Sequence, residues 1–233
     1  MTVDWPAFWE PSNDRINGSD RPTMERKTDS EIETAAIDAA LSLFAERGYR
    51  DVRLTDIAAH AGCELGDLRR CFDGKTAILA RFLVRIDAAI LSDDPDFGED
   101  ESVRDRLFDL LMRRFDALQP HRDALLAIRR DLPSVPAVVI EMAPQGLRAM
   151  AWYLEAAGES ADGVAGALRV KGLAAIWLHC LRVWFEDETE DLSKTMAALD
   201  KALSQAERAV RWLPSFKPVA GNAAADDADG APA

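Results

Sequence analysis

Cysteine is scarce in this chain, and what there is does not pair. Cys63, Cys71 and Cys180 are an odd number with no C-x-x-C spacing, so neither a disulfide framework nor a zinc-ligand set is expected. Histidine is as sparse. His60 stands three residues before Cys63, but His121 and His179 lie far away and no second ligand pair follows. No metal and no cofactor is expected. No stretch offers 18 unbroken apolar residues, and no N-terminal apolar run resembles a secretion signal, so no integral membrane association is expected and the cytoplasm is the expected location. Period-two runs of β-branched residues are missing, which argues against a sheet. G-x-S-x-G, Gly-rich phosphate loops and H-E-x-x-H are missing as well, and the many acids fall on loops and solvated faces, so no enzyme is expected.

Positive charge is also in deficit: the formal net charge is −13. Such a chain does not coat nucleic acid or anionic lipid indiscriminately, though a small basic face on an acidic body remains open. The acid is concentrated in residues 92–105 and in Glu186 to Asp191. The stretch from Arg50 to Arg81 differs. Its six bases, Arg50, Arg53, Arg69, Arg70, Lys75 and Arg81, face five acids, Asp51, Asp56, Glu64, Asp67 and Asp73.

What is present is helix. Apolar residues make up 48% of the 233, enough for a real core. Residues 1–28 read as a disordered arm, with Trp5, Phe8 and Trp9 as its oddity, and 215–233 as an Ala/Asp/Gly/Pro tail. Ser30 with Glu33 reads as a capping box for a first helix whose stripe is Ile32, Ala36, Ile37, Ala40, Leu41 and Phe44, stopped at Gly48. Two short helices follow, Thr55 to Ala61 and Leu65 to Cys71, with Gly62 between, then a longer one from Thr76 to about Leu91. The acidic loop that follows separates a head (29–91) from a body (101–214). In the body, Val103, Leu107, Leu110, Leu111 and Phe115 form a stripe, and Pro120, Pro133, Pro136 and Pro144 punctuate further helices. Ala161 to Phe185 is apolar nearly all round and is expected to be buried on most sides. The last helix steps Leu192, Met196, Leu199, Leu203, Ala206, Val210, Leu213 by alternating fours and threes, a seam for one flat helical partner inside the subunit or in a second copy.

The stretch "LTDIAAHAGCELGDLRRCF" has the organisation of a helix-turn-helix. Ile57 and Ala58 pack the first helix inward, Ala61 and Gly62 permit a close crossing, and Leu65, Leu68 and Phe72 anchor the second. Gly66, Asp67, Arg69 and Arg70 then point outward. With "AIDAALSLFAERGYRDVRLTDIAAHAG", "GDLRRCF" and "GKTAIL", residues 32–82 resemble the TetR family of transcriptional regulators. The resemblance implies an all-α fold: a three-helix DNA-binding head on a helical body that holds a ligand and forms a homodimer through its last two helices. It implies a ligand-responsive regulator, a repressor, reading a near-palindromic double-stranded operator through Arg53, Thr55, Leu65, Gly66, Asp67, Arg69, Arg70 and Lys75, the last as a phosphate contact. The sequence departs from the family pattern at Glu64 and Asp67, which repel phosphate. Glu64 can still cap the helix and Asp67 can accept from a cytosine amino group.

For the body, the expected pocket for a small apolar or amphipathic ligand comprises Phe108, Met112, Met142, Met150, Trp152, Tyr153, Trp177 and His179; plain core packing is the competing reading. The expected dimer face comprises Leu173, Trp177, Leu181, Leu192, Met196, Leu199, Leu203 and Val210. The segment "GLAAIWLHCLRVWFEDETEDLSKTMAALDKAL" also bears a likeness to TetR-like lipid-binding accessory proteins of ubiquinone biosynthesis. That supplies an alternative: a lipid- or quinone-binding protein whose head no longer binds DNA.

Overall fold

The structure, a computed structural model, describes residues 28–92, 97, 98 and 100–212. The aromatic arm and the tail expected at the two ends lie outside the described residues. Among those described there are nine α-helices, two short 3₁₀ turns and no strand.

Helix α1 (Asp29–Arg47) buries Ile32, Ala36, Ile37, Ala40 and Phe44, spaced to one face. It starts earlier than Ser30. Thr28 is the cap: its hydroxyl accepts from the Glu31 amide at 3.3 Å while the Glu31 carboxylate accepts from the Thr28 amide at 2.7 Å. The sequence holds two overlapping capping boxes, and the upstream one places Asp29 and Glu31 in the first turn, where the helix dipole favours acid. Glu33 pairs instead with Arg81 at 3.4 Å. Gly48, at φ 86°, ends the helix, and a Cβ there would sit 2.9 Å from an oxygen of Asp131.

Helices α2 (Leu54–Ala61) and α3 (Leu65–Cys71) pack on α1. Helix α4 (Lys75–Ser92) leaves this group and packs on α5 (Val103–Leu118) and α7 (Pro136–Ala156), so it belongs to both halves. Helix α6 (Arg122–Asp131) returns to α1, where the Asp131 carboxylate accepts from the Arg50 amide at 3.0 Å. Buried side chains form one cluster running from the head into the body.

Three expectations about the body change. Pro144 lies inside α7 rather than between helices. Pro144 and Ile140 both lie on the exposed side of the helix, where water can serve a carbonyl that loses its hydrogen bond. Helix α8 (Gly163–Glu186) is buried on one side only, through Gly166, Val170, Leu173, Trp177, Cys180 and Trp184. Val164 (86% exposed), Leu168 and Leu178 (56%) face out. Helix α9 (Ser193–Trp212) packs on α8 and α5, with Leu199, Leu203 and the preceding Leu192 buried in the subunit, while Met196 faces out. The seam's partner is therefore within the chain.

The acidic turn before α9 is structural. The Asp187 carboxylate is buried and accepts from the Thr189 amide and hydroxyl (3.1 and 2.5 Å) and from the Thr195 amide and hydroxyl (2.8 Å each). Burial alone would raise its pKa, but these bonds together outweigh burial and hold it well below the ordinary carboxylate range. Arg122 donates to the carbonyls of Trp184, Phe185 and Asp187 at 3.0–3.3 Å, closing the C-terminus of α8.

Candidate nucleic-acid interface

The α2–α3 pair has the geometry its small residues require. Gly62 adopts the left-handed conformation (φ 62°, ψ 44°), where a side chain would be strained. Its amide donates to Ala59 and the Cys63 amide to Ala58, closing α2. Ile57, Ala58, Ala61, Leu68 and Phe72 are buried, so the two helices are fixed to each other and to α1. Outward stand Thr55, Glu64, Leu65 (48% exposed), Gly66, Arg69 and Arg70, with Asp67 half-buried beside them. Gly66 has no neighbouring atom within 4 Å of where a Cβ would be, so it leaves a bare strip of backbone on this face. Glu64 occupies the N-cap position of α3 but its side chain makes no capping bond, which departs from the role expected of it.

The charges on this face are largely engaged with one another. Arg70 Nη1 donates to Asp67 Oδ1 at 2.6 Å, and its Nη2 reaches Asp29 at 3.4 Å. The bonds to Asp67 and Asp29 raise the Arg70 pKa further. Arg69 pairs with Asp73 and Arg47 with Asp56, each at 2.8 Å. Arg53 is exposed and forms no ion pair with an acid among the described residues. Lys75, expected as a phosphate contact, faces inward instead. Its Nζ donates to the carbonyls of Tyr49 (2.6 Å) and Val52 (2.7 Å) and lies 4.5 Å from the Tyr49 ring centre. Burial depresses its pKa, against the pull of Asp51 and Asp131. The loop between α1 and α2 presents those carbonyls, and a cation there satisfies them.

The expected body pocket is only partly assembled. Met150, Tyr153 and Trp177 are buried, Phe108, Met112 and Met142 half-buried, but Trp152 (65% exposed) and His179 face solvent. Residue 152 adjoins the inward Tyr153, and one helical step of 100° turns it out. Tyr153 and Trp177 meet at two residues that sequence reading passed over, Asp87 and Arg114. Arg114 Nε lies 2.9 Å from Asp87 Oδ1 and its Nη2 donates to Oδ2 at 3.2 Å. The Tyr153 hydroxyl donates to Oδ1 at 3.0 Å. The guanidinium lies 4.5 Å from the Trp177 ring centre and 5.5 Å from that of Tyr153. Burial raises the Asp87 pKa, opposed by Arg114 and by the Tyr153 hydrogen bond. The signal was there: a single acid and a single arginine, each inside an apolar stripe, Asp87 before Ile90 and Arg114 between Leu111 and Leu118. A cleft of about 790 Å³ opens elsewhere, between α1 and α6, lined by Ala45, Glu46, Leu126, Arg129, Arg130 and Pro133 among others.

On the expected dimer face, Leu173, Trp177, Leu192, Leu199 and Leu203 are spent in the core, Leu181 is half-buried, and only Met196 is exposed; Val210 lies outside the described side chains. The free apolar residues of the last two helices are instead Val164, Leu168, Leu178 and Met196.

Comparison with known proteins gives a consistent result. Residues 36–82 match the family described as bacterial regulatory proteins, tetR family. Among solved structures, the TetR transcriptional regulator from Nitrosomonas europaea ATCC 19718 is 26% identical, with a TM-score of 0.61 over 76% of this chain and 98% of that one. A TetR transcriptional regulator from Rhodococcus sp. RHA1 (18% identity, TM-score 0.56) covers 77% and 97% of the two chains. The regulator FadR from Bacillus subtilis, solved with stearoyl-CoA (17%, 0.51), covers 73% and 97%. These last two likenesses are of fold. No curated protein sequence matches the chain. The alternative as a lipid- or quinone-binding accessory protein draws no support from these relatives.

Proposed function

From a chain whose head belongs to the TetR family of bacterial regulatory proteins, and whose fold is that of TetR regulators, we propose a ligand-responsive, homodimeric repressor that reads a near-palindromic operator in the cytoplasm. Residues 29–91 act as the head and 101–214 as the body, with α4 shared. The observation that carries the reading is the outward face of α3: a short helix, rigidly set on α1 and α2, presents Leu65, Gly66, Arg69 and Arg70 with Thr55 and Arg53 on the rim. Arginine can hold phosphate or read guanine through two parallel bonds, and Leu65 can pack on a thymine methyl. Lys75 supports the loop beneath rather than touching DNA.

A dimer would place two such helices about one turn of DNA apart. Its interface is the exposed side of α8 and α9, where Val164, Leu168, Leu178 and Met196 are otherwise in water. Helix α8 is also long and apolar enough to cross a bilayer by length and composition, but Lys171 and Arg182 share its exposed side, which suits a protein interface with polar positions better than lipid. Leu178→Asp should therefore give a folded monomer in sedimentation, whereas Leu199→Asp, at a core position, should unfold the subunit; a Leu178→Asp protein that remains dimeric defeats this interface.

DNA selection from randomised duplexes tests the main reading. At low salt the wild type should enrich a two-fold symmetric site. If it enriches none, and Glu64→Ser with Asp67→Thr does not restore enrichment, the head is not a DNA reader. FadR from Bacillus subtilis was solved with stearoyl-CoA, and a similar fold here supports an amphipathic effector held in the body.

A further inference from the structure

Among the described residues, Arg114 is the most unusual charge. Its side chain is 4% exposed. A guanidinium has five N–H donors, and Asp87 engages only one edge of this one. Nη2 donates to Oδ2, and Nε lies close to Oδ1 but is not aligned as a hydrogen bond. Nη1 is buried with no acceptor among the described residues. Arg106 and Arg122 also leave a buried atom unpaired, but in each it is Nε alone, and Arg122 spends its terminal nitrogen on three carbonyls. The rings of Trp177 and Tyr153 lie against the Arg114 guanidinium and hold it in place. Natural proteins satisfy nearly all such buried donors, with protein, an ordered water or an ion. An Nη1 donor and the second N–H of Nη2 thus form a free edge, and a carboxylate takes two parallel bonds from such an edge, one from each nitrogen.

The surroundings decide what that acceptor does. Asp87 belongs to α4, Arg114 to α5, Tyr153 to α7 and Trp177 to α8, so four body helices meet at this guanidinium. Helix α4 begins in the head, where Thr76 bonds the Tyr49 hydroxyl at 3.1 Å and Lys75 holds the α1–α2 loop. A second anion at Arg114 competes with Asp87 for one positive charge. The free edge can bond a second carboxylate, but two negative charges on one guanidinium leave the buried site with a net charge of −1, so the newcomer weakens the Asp87 ion pair and loosens α4 from α5 and α7.

We propose that Arg114 is the anchor for the acid group of the effector, which is therefore a carboxylate-bearing small molecule, and that it acts by displacing Asp87 of α4 from Arg114. This deepens, and rests on, the reading of the chain as a ligand-responsive regulator. A ligand shifts a regulator only by binding its two states differently, and here the difference is whether Arg114 is shared with α4.

The test uses the full-length dimer and calorimetry with octanoate, benzoate and hexadecanoate, each set against its neutral amide. In the wild type at least one carboxylate binds, and its amide binds at least tenfold more weakly. Arg114→Gln removes the carboxylate preference; Asp87→Asn, which keeps Arg114 and an acceptor for Tyr153, raises carboxylate affinity at least tenfold. The wild-type comparison needs no variant, so the proposal stays falsifiable even where a variant fails to fold. Equal binding of acid and amide in wild type, or no carboxylate bound by wild type and by Asp87→Asn, overturns the proposal and leaves Arg114 served by water. The parallel measurement is operator binding with and without the same carboxylate. Arg114-dependent binding that leaves DNA affinity unchanged keeps the anchor and defeats displacement of α4 as a signal, and with it the regulator reading. Release from DNA by a neutral ligand, with no dependence on Arg114, keeps the regulator and defeats the anchor.

Discussion

Two arginine–aspartate pairs of similar length sit in opposite settings. Arg70–Asp67, at 2.6 Å, lies on the outer face of α3 with the arginine half-exposed; Arg114–Asp87, at 2.9 Å, lies in the body with almost no exposed surface. Distance alone would rank them alike. Solvent ranks them very differently. An exposed pair is screened, loses side-chain entropy, and trades readily for another anion such as a phosphate. A buried pair has given up hydration of both charges and cannot lose one partner cheaply. The outer face of α3 thus keeps its cations in loose, exchangeable contacts, which suits the DNA-meeting role proposed for it. The body keeps one cation in a fixed contact, which suits a switch with two discrete arrangements.

The widest separation between the two pairs should come from stability measurements. Arg114→Ala leaves Asp87 buried without its charge partner and should cost about 3–5 kcal/mol, read as a lowered denaturant midpoint. Arg70→Ala should leave that midpoint close to wild type. Replacing the whole cluster, Asp87→Leu with Arg114→Met and Tyr153→Phe, should cost far less than Arg114→Ala alone, because no polar group is then stranded. If the single body substitution is as mild as the head one, Asp87 and Arg114 are reached by water and the contrast between the pairs fails.

Much of this was legible in the sequence, and the failures share a cause. The head could be read because its signals are local: Gly48 and Gly62 as stops, Ile57, Ala58, Leu68 and Phe72 as inward positions. All behave as their spacing requires. Periodicity also found the helices of the body. It did not say which apolar stripe faces which neighbour. The seam of α9 is a sound inward face, yet its partners α8 and α5 are in the same subunit, and the free face of α8 falls on Val164, Leu168 and Leu178. Heptad spacing specifies a flat partner without specifying whose it is. Lys75 was expected on phosphate and Arg114 was passed over for a related reason. A charged residue's role depends on what the chain places opposite it, here the Tyr49 and Val52 carbonyls and Asp87, and those lie 23 or more residues away.

A third acid–partner contact bears on the comparison, because Asp187 is buried like Asp87 but is served by neutral donors rather than by an arginine. Asp187→Asn should cost about 1.5–3 kcal/mol at neutral pH, the usual range for hydrogen bonds to a charged group. Its native pKa is depressed, so the stability it contributes is complete above about pH 4, the unfolded value, and is lost as pH falls through the native one. The gap between wild type and variant should therefore be widest at neutral pH and close in acid, followed by denaturant titration at several pH values. A gap that widens in acid would mean the bonds to Thr189 and Thr195 are not made to the ionised form.

The smallest effects, and the ones that sharpen the contrast within the head, are in salt dependence. Each phosphate neutralised by a protein cation adds roughly 0.9 to the slope of log affinity against log salt. Arg53 forms no ion pair with an acid among the described residues, so it can take a phosphate without first breaking an ion pair. Arg53→Ala should lower the slope by about 0.9 and weaken all duplexes alike. Asp67→Asn works in the opposite direction. It removes a negative charge from the DNA face and releases Arg70 from its shortest bond, so the slope should steepen by up to about 0.9 if the freed guanidinium takes a phosphate. If Arg70 reads a base instead, Asp67→Asn changes which base is preferred at one position and leaves the slope nearly where it was. Lys75→Met provides the control: its Nζ already serves two carbonyls of the head, so the variant should destabilise the head while the slope of the folded fraction holds. A slope that falls by a full phosphate in Lys75→Met and not in Arg53→Ala would return the phosphate contact to Lys75 and remove the distinction drawn between exchangeable and fixed cations in the head.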